Sequence, residues 1–253
     1  MDNNAGPKVA RVFDCYTVFG AWPNRHARIS TEELVGTLDK HRVTKAAAIC
    51  AEAILGDSTA GNNQACAAAR EHPKLLPVPA LNPARFPQCM QELERLGPEG
   101  MRLFACFPET QEWSPQAISF RQLLYALHGM AAGLMVEATR AQTITELVRA
   151  AAETEIPLVL LGVNYHNLGE ALAAARFYPQ LYLDTHLLTA VGALERCVEL
   201  VGGDRVLFGS GFPLGYFSSA FLRARFAAVS AEQLARVLHD NMAELVKGLA
   251  CRS

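Results

Sequence analysis

Eight short apolar runs, each followed by a segment of a different pattern, constrain the fold of this chain more than any other feature. Each run has the length and apolar density of a parallel β-strand that is covered on both faces. The segments between the runs carry helical patterns, so the order indicates right-handed βαβ units and a parallel sheet. The runs span residues 9–19, 45–54, 75–83, 100–108, 133–139, 157–163, 181–186 and 205–213.

Eight such units favour a closed barrel over a doubly wound open sheet. The chain has 253 residues, close to the roughly 250 that are typical of a (β/α)8 barrel. No low-complexity linker divides it. We therefore predict an α/β fold with one domain over residues 1–253, a (β/α)8 TIM barrel.

Helix boundaries follow from local signals. Three pairs have the spacing of a capping box, in which a Ser or Thr side chain and a Glu or Gln three residues later satisfy the first backbone N–H groups. The last of these helices is expected to end at Gly248. The pairs are Ser30 with Glu33, Thr143 with Glu146, and Ser230 with Gln233.

Composition excludes several classes of function. The net charge is -2, from 23 basic and 25 acidic residues with no basic block, so nucleic acid is not an expected partner. The apolar runs are too short for a membrane span, and "MDNNAGPKVARVFD" at the start lacks the apolar core of a signal peptide. The seven cysteines are odd in number and irregularly spaced, which predicts reduced thiols in a cytoplasmic protein.

Several of these runs together resemble the amidohydrolase superfamily, in particular its amidohydrolase-2 branch of small hydrolases and decarboxylases. "FDCYTVFG", residues 13–20, is similar to the opening Asp-x-His-x-His-x-Gly of that family. "VLFGSGFP", residues 206–213, resembles its last strand, which usually reads Phe-Gly-Ser-Asp-x-Pro, and "ALNP", residues 80–83, resembles its third. The resemblance runs nearly end to end and implies a barrel with a metal centre that activates water.

The metal-ligand positions of that family hold other residues here. In chain order they fall on Tyr16, Val18, Glu137, Gly162 or Val163, and Gly211. A mononuclear zinc or manganese site needs about three or four N or O ligands, and Val18 and Gly211 have no ligating side chain. We therefore predict no bound metal and no other cofactor. A site rebuilt from Glu137, His166, Asp184 and His186 stays open as the alternative.

Chemistry in such a barrel lies at the C-terminal ends of the strands. We predict Glu137, Tyr16 and His186 as the catalytic acid, base and polariser. Burial would raise the pKa of Glu137, and Tyr16 could donate a hydrogen bond to a developing oxyanion. Residues predicted to bind substrate are Arg102, Asn164, His166, Asp184 and Ser210.

Each candidate also has a structural explanation. Glu137 could form an ion pair with Arg102 or Arg140, Tyr16 could be a packed aromatic residue at the barrel mouth, and Asp184 with His186 could be a hydrogen-bonded pair. In "NYHN", residues 164–167, Asn167 could cap the next helix.

Two functions remain open. The first is a metal-independent hydrolase or lyase acting on a small molecule, carboxylated or aromatic, with Glu137 and His186 facing one cavity. The second is a catalytically inactive pseudoenzyme that binds a ligand or supports a partner subunit. Polar groups at three adjacent strand ends favour the enzyme, whereas a mouth plugged by side chains such as Phe104 and Phe212 would count against it. The helix surfaces alone do not fix the oligomeric state, and a homo-oligomer stays open.

Overall fold

The computed structural model describes residues 11–23 and 27–251. The start of the first apolar run and most of the segment behind the signal-peptide prediction lie outside these residues. The strands are β1 (Phe13–Trp22), β2 (Ala27–Ile29), β3 (Lys45–Cys50), β4 (Leu75–Pro77), β5 (Ala80–Leu81), β6 (Leu103–Cys106), β7 (Gly133–Glu137), β8 (Leu158–Leu161), β9 (Leu181–Asp184) and β10 (Val206–Leu207).

Helices follow nearly every strand of the predicted series. They are α1 (Thr31–Lys40), α2 (Ala51–Leu55), α3 (Ser58–Glu71), α4 (Gln88–Leu96), α5 (Ile118–Gly129), α6 (Ala141–Ala151), α7 (Leu168–Phe177), α8 (Ala193–Val201), α9 (Phe217–Arg225), α10 (Ala231–Ala235) and α11 (Asn241–Ala250). Across the described ranges, none combines the length and the apolarity that crossing a bilayer requires.

The parallel strands form two ladders, β1-β3-β4 and β5 through β10 in chain order. β4 and β5 are two pieces of one predicted strand. Between them, Val78 N–H donates to Ala48 O on one side (3.1 Å) and Pro79 O accepts from Ala105 N–H on the other (2.8 Å). The third predicted strand therefore connects both ladders.

The second connection joins the first strand to the last. Cys15 N–H donates to Phe208 O and Val18 N–H to Phe212 O, each at 2.8 Å, and Thr17 forms an isolated parallel bridge with Phe212. Eight strand positions thus follow one another around the molecule, with helices outside them. The fold is the predicted (β/α)8 barrel.

Alternate residues along each strand enter two different apolar layers, as a barrel requires. Phe104 and Leu134 pack in the layer between strands and helices. Ala105, Met135 and Val159 fill the barrel interior. This alternation places every second side chain of a strand inside, and the last inward position of each strand faces the mouth.

One predicted strand is shorter than expected. The run at residues 45–54 leaves the sheet after Cys50, and its second half forms helix α2. A Cβ at Gly61, in α3, would overlap the backbone of Ala53, so only glycine allows α2 to pack this closely on α3. Ala51, Ala53 and Ile54 are therefore buried against the C-terminal end of the barrel interior.

Two of the three capping boxes are confirmed. Ser30 and Ser230 each accept a bond from the backbone of the third helical residue, whose side chain returns the bond. The box at Thr143 is wrong, because α6 begins at Ala141 and Thr143 lies buried inside it. The stop at Gly248 is also wrong, since α11 continues to Ala250.

Candidate active site at the barrel mouth

Asp184 and His186 form a hydrogen-bonded pair at the end of β9. Asp184 is fully buried, and the His186 side chain is 15% exposed. Asp184 Oδ2 is bonded to His186 Nδ1, and Asp184 Oδ1 accepts from the backbone N–H of His186 at 3.0 Å. Holding Nδ1 against a carboxylate leaves Nε2 as the ring atom for proton exchange. The hydrogen-bonded pair that the sequence analysis named as a structural explanation for these two residues is therefore present.

Two glycines of the last strand make room for this pair. A Cβ at Gly209 would overlap Asp184 Oδ1, and a Cβ at Gly211 would lie 2.9 Å from His186 Cδ2. Gly211 also has a φ of +65°, which disfavours other residues. By the resemblance described above, Gly211 falls on the position of that family's aspartate. The imidazole therefore occupies the space into which that side chain would extend.

Tyr16 of β1 contacts the His186 ring. The ring centroids are 4.9 Å apart in an edge-to-face arrangement, and Tyr16 is 6% exposed. The pairing of β1 with β3 shifts register between Asp14 and Thr17, and Cys15, Tyr16 and Val18 all pack in the interior layer. The structure thus brings together two of the three predicted catalytic residues.

Asp14 is a site residue that the sequence analysis missed. It is fully buried, and its Oδ1 accepts from the backbone N–H groups of Ser210 (2.9 Å) and Tyr16 (3.1 Å). Its Oδ2 has no hydrogen-bond partner among the described residues. Burial raises the pKa of Asp14 to about 7, against the lowering effect of the bonds from Ser210 and Tyr16. The sequence did contain a signal for it, because a charged residue inside the apolar run at residues 9–19 indicates a buried carboxyl group.

Ser210, predicted to bind substrate, serves the backbone instead. It is buried, its N–H binds Asp14, and its Oγ accepts from the backbone N–H of Phe212 at 3.1 Å. These bonds hold the end of the last strand against β1. They also fix the turn that carries Gly211.

Glu137 at the end of β7 binds a neighbouring loop. Its Oε2 accepts from Thr110 N–H and its Oε1 from Thr110 Oγ1, both at 2.7 Å. Burial is the main cause that raises the pKa of Glu137, and the Thr110 bonds oppose it. In the described structure neither Arg102 nor Arg140 forms an ion pair with it. Glu137 is thus an anchor for the β6–α5 loop, residues 107–117.

The same loop reaches to the opposite side of the mouth. Gln111 Nε2 donates to Ile54 O at 3.2 Å, and Gln111 Oε1 accepts from Trp113 Nε1 at 3.1 Å. Ile54 belongs to α2, which follows β3, whereas Glu137 ends β7. The β6–α5 loop therefore spans the mouth from β7 to α2.

Apolar side chains fill much of the mouth below this loop. Val18, Ile54, Phe107 and Leu161 belong to the interior layer and are at most 3% exposed. Phe104 and Phe212, the two suspected plugs, pack instead with the layer under the helices. Two cavities of about 470 and 590 Å³ open elsewhere, beside α6 and beside α4, and neither is lined by Glu137 or His186.

Arg102 is not brought to the mouth. It precedes β6, and its Nη1 donates to Gly97 O (2.8 Å) and Met101 O (2.9 Å). Residues that precede a barrel strand lie at the N-terminal end, opposite the reactive face. Arg102 therefore does not share a site with the Asp184–His186 pair, in contrast to the prediction.

Asn164 and His166 lie on the rim. Asn164 Nδ2 donates to Thr139 O and Gly162 O, both at 3.0 Å, and His166 is exposed, with its ring edge-on to Tyr165. Asn167 precedes α7 but its side chain makes no cap. It is buried, and Nδ2 donates to Ala138 O (3.0 Å), which ties the ends of β7 and β8 together.

The residues present do not fit the metal centre that the resemblance implies. Val18 and Gly211 carry no donor, both Glu137 oxygens are bonded to Thr110, and Asp184 is bonded to His186. Within residues 11–23 and 27–251, no group of three or more His, Cys, Asp or Glu side chains is arranged to hold a metal ion. The polar side chains that the structure brings into contact at this mouth are Asp184, His186 and Tyr16.

Comparison with known proteins agrees with the fold described above. The model of the amidohydrolase family matches residues 21–247. The chain belongs to the amidohydrolase family. None of the curated proteins matches it.

Three solved structures are similar to this amidohydrolase-family chain over nearly its whole length. A 2,6-dihydroxybenzoate decarboxylase from Rhizobium has a TM-score of 0.75 at 14% identity and covers 93% of this chain and 98% of its own. A manganese-bound 5-carboxyvanillate decarboxylase from Novosphingobium aromaticivorans has a TM-score of 0.76 at 13% identity, and the match covers 96% of this chain and 99% of that one. A probable 2-pyrone-4,6-dicarboxylic acid hydrolase from Acinetobacter baumannii has a TM-score of 0.72 at 14% identity, and the match covers 93% of this chain and 99% of that one. Identity this low shows a shared fold.

Proposed function

We propose that this amidohydrolase-family barrel is a metal-independent enzyme, a lyase or hydrolase that acts on a small aromatic carboxylate. The observation that carries the proposal is the Asp184–His186 pair, packed against Tyr16 in the space in front of Gly211. The substrate class is supported by the similar structures, whose names specify aromatic and pyrone carboxylates.

The pair suits decarboxylation because that reaction requires a proton donor and a carboxylate shielded from water. The His186 imidazolium gives the Nε2 proton to the ring carbon that bears the carboxylate. The bond to the carboxylate then breaks, its electron pair returns to the aromatic ring, and CO₂ leaves. Water reprotonates His186, and Asp184 stabilises the imidazolium throughout. In hydrolysis, the same nitrogen would take a proton from water.

The apolar surroundings support the lyase over the hydrolase. Val18, Phe107 and Leu161 border the interior below the mouth, and a carboxylate among such side chains loses its hydration. Loss of hydration raises the energy of the charged substrate relative to neutral CO₂. We assign Tyr16 to orienting the imidazole and polarising the substrate. Glu137 stays a candidate acid because burial raises the pKa of its carboxyl group, although Thr110 of the β6–α5 loop binds both of its oxygens.

The test is turnover of hydroxybenzoate carboxylates by protein purified in EDTA. CO₂ release should be unchanged by the chelator, and His186→Asn should lower kcat/KM by about 10²–10⁴-fold. His128→Asn is the matched control, because His128 is exposed on α5 away from the mouth. Loss of turnover in EDTA with recovery on added manganese or zinc would refute metal independence. Full activity of His186→Asn would refute the catalytic assignment.

The second candidate is a catalytically inactive barrel that binds a ligand or supports a partner subunit. The close filling of the mouth by Val18, Ile54, Phe107 and Leu161 favours it. It predicts no turnover with or without metal, while aromatic carboxylates or a partner still raise the melting temperature. A cytoplasmic location, a small-molecule substrate and a homo-oligomer stay predictions under either candidate.

A further inference from the structure

Arg223 of α9 is a half-buried cation that has no carboxylate partner within residues 11–23 and 27–251. Its Nη1 donates to Ser219 Oγ at 2.8 Å and its Nη2 to His186 O at 3.0 Å. None of the ion pairs among the described residues includes it. Burial lowers the pKa of Arg223, with Asp184 acting in the opposite direction. Charges withdrawn from water are usually paired, so an unpaired one indicates a place for an anion.

The guanidinium forms part of the wall of a crevice. This cavity, of about 190 Å³, lies between α9 and the loop that joins β9 to α8. Most of its other walls are apolar, including Leu188, Ala220 and Ala224. Among the residues that line it, Glu195 is the one carboxylate, and its Oε1 accepts from Ala228 N–H at 2.8 Å. The crevice thus combines one cation, one acid held by a backbone bond, and an apolar surface.

We propose that this crevice binds a small monocarboxylate with an apolar body. The N–H groups of Arg223 left free by Ser219 and His186 take the carboxylate, for which the planar guanidinium fork is the matching donor. The apolar body packs on Leu188 and Ala220. Because Glu195 opposes a second negative charge, a monoanion is favoured over a phosphate dianion. A volume of about 190 Å³ also lies below the about 300–1,000 Å³ of drug-sized pockets, so the ligand is small.

The crevice is separate from the proposed active site. Neither Tyr16 nor His186 lines it, although Arg223 donates to the backbone oxygen of His186. A ligand bound in the crevice therefore contacts Arg223, whose side chain holds the backbone oxygen of His186. Binding there does not depend on proton transfer by the imidazole.

The test uses benzoate as the probe and the full chain. The Nε–H resonance of Arg223, identified by its loss in Arg223→Met, should shift on titration with benzoate and give a Kd in the millimolar range. Arg223→Met should weaken the calorimetric affinity at least about tenfold. Arg223→Lys keeps the positive charge but not the planar guanidinium. Its affinity for benzoate should lie between those of the wild type and Arg223→Met. Arg225→Met is the matched control, since Arg225 is exposed at the end of the same helix, and it should bind like the wild type.

Three outcomes would overturn the proposal. They are no shift of the Arg223 resonance at about 20 mM benzoate, equal affinity in folded Arg223→Met, and tighter binding of inorganic phosphate than of benzoate. A melting curve checks that each variant is folded. The Arg223 resonance should shift equally in His186→Asn, so failure of the proposed catalysis and failure of the crevice are distinguished by separate readouts.

Discussion

Replacing Asp14 by Asn should remove a pH dependence of stability that the wild-type fold carries. Asp14 is fully buried, with one oxygen bonded to Ser210 N–H and Tyr16 N–H and the other without a described partner. Asn keeps the bonded oxygen and loses the charge. Its buried amide NH₂ adds a constant cost, so the informative quantity is the slope of stability against pH.

The magnitude follows from the raised pKa. The value for Asp14 moves from 3.8 to about 7 on folding, and one pKa unit corresponds to about 1.4 kcal/mol. Because the folded pKa is the higher one, stability is greatest below the unfolded pKa and falls as the pH rises towards the folded pKa. Ionisation of Asp14 therefore lowers the free energy of unfolding by about 4 kcal/mol in total, and by roughly 2–3 kcal/mol between pH 5 and pH 8.

The assay is urea unfolding of both proteins at several values between pH 5 and pH 8. The wild type should lose roughly 2–3 kcal/mol more than Asp14→Asn over this range, since all other titrating groups are shared. Glu94→Gln, an exposed carboxylate on α4, is the control and should keep the wild-type slope. Parallel curves for wild type and Asp14→Asn would refute the reasoning that desolvation governs this carboxyl.

Three further predictions concern the mouth. Gly209→Ala should lower the free energy of unfolding by more than about 2 kcal/mol, because its Cβ would overlap Asp184 Oδ1, whereas Gly129→Ala meets no neighbour and should be near neutral in the same urea titration. Thr110→Val removes one of two bonds to Glu137 and should destabilise by about 1 kcal/mol while hastening proteolysis within the β6–α5 loop. Protein purified without added metal should contain well under one zinc or manganese per chain by elemental analysis, since the donor set does not fit such an ion.

Each of these has an outcome that contradicts it. A free energy of unfolding of Gly209→Ala equal to that of the wild type in the urea titration would mean that Asp184 can move without loss of stability. Proteolysis rates that are identical for Thr110→Val and wild type would show that the loop is held elsewhere. Near-stoichiometric metal in the purified protein would contradict the fit argument and favour the site rebuilt from Glu137, His166, Asp184 and His186.

The barrel was predictable because its signals are local. A short apolar run predicts a strand, and capping residues predict the start of a helix. The order of these signals along the chain therefore indicates βαβ units before any contact is known. The wrong predictions concern element boundaries, where contacts from other parts of the chain outweighed the local signal. Thr143 had the spacing of a cap, but α6 begins two residues earlier, at Ala141, where Glu109 of another loop accepts from the preceding N–H groups of Thr139 and Arg140. The α2 helix formed where a strand was expected, because Gly61 of α3 allowed it to pack closely.

The sequence by itself determined the fold and the strand ends that face the mouth. Only the tertiary structure decided which partners individual residues have. Asp14 binds Ser210 across 196 positions of the chain, and Glu137 binds Thr110 across 27. Periodicity fixes the direction of a side chain, but the atom it meets depends on how the barrel brings distant strands together and on the rotamers that their packing permits.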